Sequence, residues 1–217
     1  MESLIFFCEN GSEMNPIDTQ KNSLLHVSCR NSKVSKEIIE FLISKKSSLH
    51  HENSEKFNPF ICSLNNKHIT LETIKYFVEQ KLDLKSHDKY SNFTSLHHLC
   101  ANRNISTDIL EYFVENKCDL NFENNKYASP FLLACENENI SVETMKYFVE
   151  QKCGFNYKNK FVQNYPNHRI CQNKNVSLEM MQFFVEQKSN LNLKEYTKNN
   201  ALHVVCNNVR LYHDGES

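Results

Sequence analysis

Residues 129–152 read SPFLLACENENISVETMKYFVEQK. This stretch holds two short apolar segments, SPFLLAC and VETMKYFVEQK, joined by a polar connection. In the second segment Met145, Phe148 and Val149 stand at i, i+3 and i+4, which is the spacing of one apolar helix face. Lys146 falls on the opposite side. We therefore predict a pair of short helices, a first helix and an amphipathic second helix.

The same pair recurs along the whole chain. The second segment returns as KEIIEFLISKK (36–46), LETIKYFVEQK (71–81), TDILEYFVENK (107–117), VETMKYFVEQK (142–152) and LEMMQFFVEQK (178–188), with starts 35 or 36 residues apart, and ESLIFFCENG (2–11) stands one period earlier. The first segment returns as SLLHVSC (23–29), NPFICSL (58–64), TSLHHLC (94–100), SPFLLAC (129–135), YPNHRIC (165–171) and NALHVVC (200–206). Helices this short must bury their apolar faces against neighbours, so the period predicts a helical solenoid.

Each second helix has a clear start signal. A hydroxyl residue precedes it, and an acid follows two residues later. The hydroxyl oxygen accepts hydrogen bonds from unpaired amides of the first turn, and the acid lies at the positive end of the helix dipole. The predicted N-caps are Ser35, Thr70, Ser106, Ser141 and Ser177.

The first helices carry a motif that resembles the ankyrin repeat, T-P-L-H-x-A, which precedes a second helix and a β-turn finger. The His position of this motif is filled by His26, His97, His168 and His203, and the Pro position by Pro59, Pro130 and Pro166. The stretch 120–129, LNFENNKYAS, has the length of an ankyrin finger. Tetratricopeptide repeats have a similar period but lack the long finger and the early S/T-P-x-H.

The resemblance implies an all-α, ankyrin-type helical solenoid with short β-turn fingers, covering about 1–206. We expect a partial repeat at 1–22, full repeats at about 23–57, 58–93, 94–128, 129–164 and 165–199, a partial repeat at 200–206, and a pattern-free tail at 207–217. Because solenoids need polar end caps, we interpret the incomplete ends as those of a fragment or of a module cut from a longer chain.

Three departures from the ankyrin pattern stand out. The period exceeds the usual value of about 33 residues, and the extra residues fall between the helices, as in ENENIS (136–141). The glycine expected after each second helix survives only as Gly11; its counterparts are Lys46, Lys81, Lys117, Lys152 and Lys188. A lysine in the left-handed conformation costs about 1 kcal/mol relative to glycine. Asn167 replaces a core Leu or Phe, and since an unpaired buried amide costs about 1–3 kcal/mol, we expect 158–175 to be the least stable full repeat.

Histidine and cysteine recur together as H-x-x-C, a pattern that raises the question of metal binding. Each pair offers two ligands on one helix turn, and the next pair lies on a helix about 8–10 Å away, whereas zinc ligands bond at about 2.0–2.3 Å. We therefore interpret the cysteines as small buried apolar residues. The resemblance implies that the histidines hydrogen-bond one repeat to the next. We predict no catalytic, cofactor-binding or metal-binding residues, and no cofactor.

Composition excludes several classes of partner. The 25 Lys and Arg residues nearly balance 26 Asp and Glu, which disfavours nucleic acid because phosphate-binding proteins normally show a basic excess. Apolar runs of about five residues are too short to cross a membrane, and no signal peptide is recognisable. Nine cysteines without such a signal predict free thiols in a reducing compartment, cytoplasmic or nuclear.

The remaining functional hypothesis concerns the surface of the solenoid. The ankyrin resemblance implies that the fingers and first helices line a concave face that binds a protein partner. Candidate partner-binding residues are the finger aromatics Tyr90, Phe93, Tyr127, Phe161 and Tyr196, which have the composition of an interface hot spot but would also suit packing between fingers. We predict a non-catalytic scaffold or adaptor with no small-molecule substrate. The alternatives are a targeting segment of a larger enzyme or ubiquitin-ligase subunit, and a metal-responsive His/Cys module.

Overall fold

The computed structural model describes residues 2–13, 16–85, 87, 91–103, 105–156 and 165–213. Over these residues the chain forms twelve α-helices and no β-strand longer than a bridge. An isolated antiparallel bridge joins Ile17 and Ser23. The predicted all-α class is confirmed. The chain divides into two compact units, Met1–Asp88 and Lys89–Ser217.

The first unit carries a single helix followed by two helix pairs. Its helices are α1 (Glu2–Glu9), α2 (Leu24–Arg30), α3 (Lys36–Ser44), α4 (Pro59–Leu64) and α5 (Leu71–Glu79). The first helix α2 packs on its own second helix α3 and on the next first helix, α4. The described helices therefore alternate as the repeat predicts.

The second unit carries three helix pairs and a final helix. Its helices are α6 (Ser95–Ala101), α7 (Thr107–Glu115), α8 (Pro130–Glu136), α9 (Val142–Glu150), α10 (Pro166–Gln172), α11 (Leu178–Glu186) and α12 (Ala201–His213). First helices stack in the order α6, α8, α10, α12, and second helices stack in the order α7, α9, α11. Helix α12 runs on through residues 207–213, which we had predicted to lie in a pattern-free tail.

Helix starts follow the sequence signals. All five predicted serines and threonines are N-caps, and the side chains of Thr70, Ser141 and Ser177 accept hydrogen bonds from N3 amides. Ser35 and Ser106 hold the cap position without such a bond. The motif prolines stand at the first position of α4, α8 and α10, where a missing N–H leaves nothing unpaired.

Two helix pairs, α4 with α5 and α8 with α9, share an aromatic contact between their two helices. The rings of Phe60 in α4 and Phe77 in α5 have centroids 5.3 Å apart, and the same distance separates Phe131 in α8 from Phe148 in α9. All four side chains are fully buried. Burying one phenylalanine stabilises a fold by about 1.5–3 kcal/mol, so these contacts fix the second helix on the first.

The second helices end in a left-handed residue, as the glycine substitutions predict. The positive φ angles are 66° at Lys46, Lys81 and Lys152, 60° at Lys117 and 54° at Lys188, with 86° at Gly11. The amide that follows turns back to the helix; for example, the N–H of Leu82 donates to the carbonyl of Phe77 at 3.3 Å. Five second helices in the two units thus end in the same left-handed lysine conformation.

Candidate interaction surface of fingers and first helices

Four described turns precede first helices, at 18–22, 53–57, 124–128 and 195–199, and we call them finger turns. In the turn 53–57 the N–H of Asn53 donates to the carbonyl of Phe57, and the N–H of Lys56 donates to the carbonyl of Asn53, both at 3.0 Å. The other three turns repeat this pair of bonds. Their fourth residues have positive φ, namely Lys21, Lys56, Tyr127 and Lys198.

The side chain of the first residue in a finger turn accepts hydrogen bonds from backbone amides of the same turn. The Oδ1 atom of Asn53 accepts the N–H groups of Glu55 and Phe57 at 2.9 and 3.0 Å. Asn124 and Asp18 do the same in their turns. Hydrogen bonds from Asn22, and more weakly from Gln20, hold the pKa of Asp18 below its usual range. The finger turns are therefore ordered by their own hydrogen bonds, without a bound partner.

Adjacent fingers are joined by backbone hydrogen bonds. In the first unit the N–H of Ser54 donates to the carbonyl of Gln20 at 2.8 Å. In the second unit the N–H of Asn125 donates to the carbonyl of Ser91 at 2.9 Å. These bonds fix the spacing of neighbouring turns within each unit.

The motif histidines connect first helices to the next finger turn. The Nε2 atom of His26 lies 2.9 Å from the carbonyl oxygen of Phe57, and that of His97 lies 3.0 Å from the oxygen of Ala128. His168 lies 3.1 Å from the oxygen of Asn199. All three side chains are fully buried. The expectation that histidines tie one repeat to the next is confirmed for His26 and His97. His168 occupies the same position, whereas His203 in the last helix is exposed.

Burial changes the ionisation of His26. It lowers the pKa of the imidazole, against the opposing effect of the hydrogen bond to Phe57, and the nearby charges of His51 and Arg30 lower it further. The Nδ1 atom accepts the N–H of Ser23 at 3.2 Å, so the neutral ring with its proton on Nε2 satisfies both contacts.

Asn167 corrects one sequence expectation. Its side chain is buried, as predicted, but its amide is not unpaired. The Nδ2 atom donates to the carbonyl of Asn190 at 3.1 Å, and Oδ1 accepts the N–H of His168 at 2.9 Å. The predicted cost of an unsatisfied amide was therefore wrong. Residues 157–164 lie outside the described residues, and the relative stability of 158–175 stays a prediction.

The repeated cysteines of the first helices lie in the interior at positions 29, 100, 135 and 171, as predicted, whereas Cys206 in the last helix is exposed, against the prediction. Cys29, Cys100 and Cys135 are fully buried, and burial raises the pKa of each well above its usual value. Burial also raises the pKa of Cys171 to about 11 and that of Cys153 to about 12. Such thiols are poor nucleophiles and poor ligands, because both roles need the thiolate. Among the described residues no three His, Cys, Asp or Glu side chains converge on a metal position.

The candidate aromatics differ in exposure. Tyr196 is 80% exposed on the finger turn 195–199. Tyr127 and Phe93 are half-buried, and the Phe93 ring packs on His97 and His98 with centroids 5.1 and 5.3 Å apart. Tyr90 and Phe161 lie outside the described residues.

Ion pairs border the first helices. Arg30 at the end of α2 pairs with Glu55 in the next finger turn. Arg169 in α10 pairs with Glu136 at the end of α8, at 3.1 Å. Exposed pairs of this kind contribute about 0–1 kcal/mol to stability, so they serve mainly to orient the charges displayed beside the finger turns.

Comparison with known proteins identifies the repeat. Residues 25–124 match the family model of ankyrin repeats in three copies. The crystal structure of the human ASB11 ankyrin repeat domain matches with a TM-score of 0.75, over 97% of this chain and 91% of that chain, at 13% sequence identity. Residues 25–124 of this chain are ankyrin repeats. At that identity the likeness to ASB11 concerns the fold alone. No curated protein matches the sequence significantly.

The family assignment sets the general level of function. Ankyrin repeats are generally protein–protein interaction modules. Among the described helices of this chain none has both the length and the apolar character needed to cross a membrane.

These ankyrin repeats contain a buried asparagine column that the sequence analysis missed. It lies in the lengthened connection between first and second helices and consists of Asn66, Asn102, Asn137 and Asn173, each 5 to 7% exposed. The Nδ2 atom of Asn66 donates to the carbonyls of Cys29 and Asn31 at 2.9 and 3.0 Å. In the second unit Asn137 donates to the carbonyl of Asn102 and Asn173 to that of Asn137.

The asparagine column uses the extra residues of each repeat. The side chains of Asn66, Asn137 and Asn173 bind carbonyls at the end of the first helix one repeat earlier. Their Oδ1 atoms accept an amide two residues on, such as that of His68 or Asn139. The signal was present in the sequence, since Asn recurs at 31, 66, 102, 137 and 173 with the spacing of the repeat.

Proposed function

We propose that this ankyrin repeat chain is a non-catalytic scaffold or adaptor that binds a protein partner through its finger turns and first helices. The observation that carries the proposal is the exposure of Tyr196 on a turn closed by backbone hydrogen bonds. Tyrosine is enriched among the residues that dominate protein interfaces. Because the turn is already ordered, little entropy is lost when a partner packs on that ring.

Neighbouring groups support the same surface. Lys198 lies two residues beyond Tyr196 and Glu195 one residue before it, so the ring stands among charges of both signs. The half-buried Tyr127 and Phe93 would add edges of aromatic rings rather than whole side chains. Tyr90 and Phe161 remain candidates from the sequence. We expect a cytoplasmic or nuclear protein that recognises neither nucleic acid nor a small-molecule substrate.

A site-specific photo-crosslinker tests this proposal. The benzophenone amino acid p-benzoylphenylalanine replaces Tyr196 in one variant of the full chain and Lys146, exposed on the second helix α9, in a matched control. Both variants are incubated with extract and irradiated. We expect a discrete adduct from position 196 and none from position 146. The adduct should disappear when excess wild-type chain competes but persist when excess Tyr196→Ala competes.

Two outcomes contradict the proposal. Capture from position 146 alone places the partner on the second helices. An adduct at position 196 that Tyr196→Ala removes as well as wild type shows that the ring is close to the partner without contributing to its binding.

A further inference from the structure

The three buried motif histidines do not have the same surroundings at Nδ1. At His26 and His97 the Nδ1 atom accepts a backbone N–H, from Ser23 at 3.2 Å and from Thr94 at 3.1 Å. Both Nε2 atoms face carbonyl oxygens. A backbone N–H only donates and a carbonyl only accepts, so these two rings fit the neutral form with its proton on Nε2.

His168 meets an acceptor on each side. Its Nδ1 atom lies 3.0 Å from Oδ1 of Asn167, and its Nε2 atom lies 3.1 Å from the carbonyl oxygen of Asn199. The orientation of the Asn167 amide is fixed by its other contacts, since Nδ2 faces the carbonyl of Asn190 and Oδ1 faces the N–H of His168. Turning the amide over would oppose donor to donor and acceptor to acceptor. No neutral form of the ring donates to both oxygens.

The cause lies in the cap of α10. Serine and threonine close capping boxes with the histidine in α2 and α6, but α10 has Tyr165 at that position and no side-chain cap bond. Asn167 brings its oxygen to Nδ1 instead. The final helix shows the same preference, because Oδ1 of the preceding Asn200 lies 2.6 Å from Nδ1 of the exposed His203.

We propose that His168 carries its proton on Nδ1, donated to Asn167, and that it bonds to Asn199 only when a second proton occupies Nε2. The junction between α10 and the finger turn 195–199 would then tighten on acidification, whereas the His26 junction loosens. This goes beyond the proposed partner binding, and it makes the end of the second unit a pH-dependent element.

The surroundings of His168 allow such a response. The Tyr165 ring lies beside it with centroids 5.5 Å apart. Charged and titratable groups on the adjacent elements include Arg169 on α10, Glu136 on α8, Glu179 and Glu186 on α11, Glu195 and Lys198 in the finger turn, and His203 on α12. Arg169 is paired with Glu136, and Glu195 accepts a hydrogen bond from Nδ2 of Asn199.

A tighter junction would affect α12. This helix packs on α10, and its Ala201 and Val204 are buried together with Cys171. The turn that carries Asn199 leads directly into α12, so a bond from His168 to Asn199 restrains the start of that helix.

Imidazole ¹⁵N NMR on the full chain tests the proposal, with His26 as internal reference. At neutral pH we expect an Nδ1 without a proton at His26 and a protonated Nδ1 at His168. On acidification Nε2 of His168 should also become protonated, and amide exchange at Val204, corrected for its intrinsic rate, should slow severalfold. An unprotonated Nδ1 at His168, as at His26, would overturn the proposal. The proposal would also fail if amide exchange at Val204 did not slow on acidification.

A double variant isolates the role of Asn167. Tyr165→Thr with Asn167→Leu restores the arrangement found around His97, and we expect it to move the proton of His168 to Nε2 and abolish the acid-induced slowing at Val204. If the proton stays on Nδ1 in this variant, Asn167 is not its cause. If the double variant does not fold, we expect the single variant Asn167→Asp to keep Nδ1 of His168 protonated. An unprotonated Nδ1 in that variant would refute the assignment of the proton to Nδ1.

Discussion

Replacing Asn137 by alanine should destabilise the second unit by about 2–4 kcal/mol. The side chain is 5% exposed, and its Nδ2 atom donates to the carbonyls of Asn102 and Cys100 while Oδ1 accepts the N–H of Asn139 at 3.0 Å. Each buried polar group left without a partner costs about 1–3 kcal/mol. In the Asn137→Ala variant the carbonyl of Asn102 loses its short hydrogen bond from Nδ2. The partly buried amide of Asn139 also loses its hydrogen bond to Oδ1, which contributes less.

Urea denaturation followed by circular dichroism measures this loss. Asn139→Ala is the matched control, because Asn139 lies in the same connection but is exposed, and surface changes of this kind fall within about 0.5 kcal/mol. Asn137→Asp should cost more than alanine at neutral pH, since a carboxylate oxygen would face the carbonyl of Asn102. A change at Asn137 no larger than that at Asn139 would refute the view that the asparagine column holds the helix connections.

Three further outcomes are expected. Lys152→Gly should raise the free energy of unfolding by up to about 1 kcal/mol, because the residue has a φ of 66°; a decrease in a thermal or urea scan would contradict that. Ser141→Ala should cost about 1 kcal/mol by loss of its cap bond, and Ser106→Ala, where the cap bond is missing, clearly less; equal losses would show that the bond contributes little. Since burial lowers the pKa of His26, the unfolded chain binds a proton that the folded chain does not, so stability should fall as pH drops below about 6.5. His26→Gln should make the free energy of unfolding, measured in urea titrations at several pH values, depend less steeply on pH. An unchanged dependence on pH would mean that other groups cause it.

The repeat and its helix boundaries could be predicted because their determinants are local. Ser141 lies next to the helix it caps, and the apolar spacing of Met145 and Phe148 is fixed within that helix. The left-handed ends were predictable too, since Lys152 follows the helix directly. In each case the residue and the group it serves are a few positions apart.

The misjudged residues depend on contacts from distant parts of the chain. Asn167 has a partner in Asn190, which nothing in its own segment indicates. The asparagine column was visible as a spacing, but its purpose depends on which carbonyls the neighbouring repeat leaves unpaired.

The junctions between repeats also follow a longer period than the helices do. The buried histidines stand at 26, 97 and 168, each 71 residues after the last, while the corresponding positions in α4 and α8 carry Ile61 and Leu132. From α2 to α10, first helices with a buried histidine therefore alternate with apolar ones, just as spacings of 35 and 36 residues alternate between second helices; α12, which follows α10, carries the exposed His203. An imidazole that must reach a carbonyl 31 residues ahead imposes a defined distance and direction, whereas an aliphatic side chain tolerates small displacements. The alternation thus distributes precise and adaptable junctions along this part of the chain.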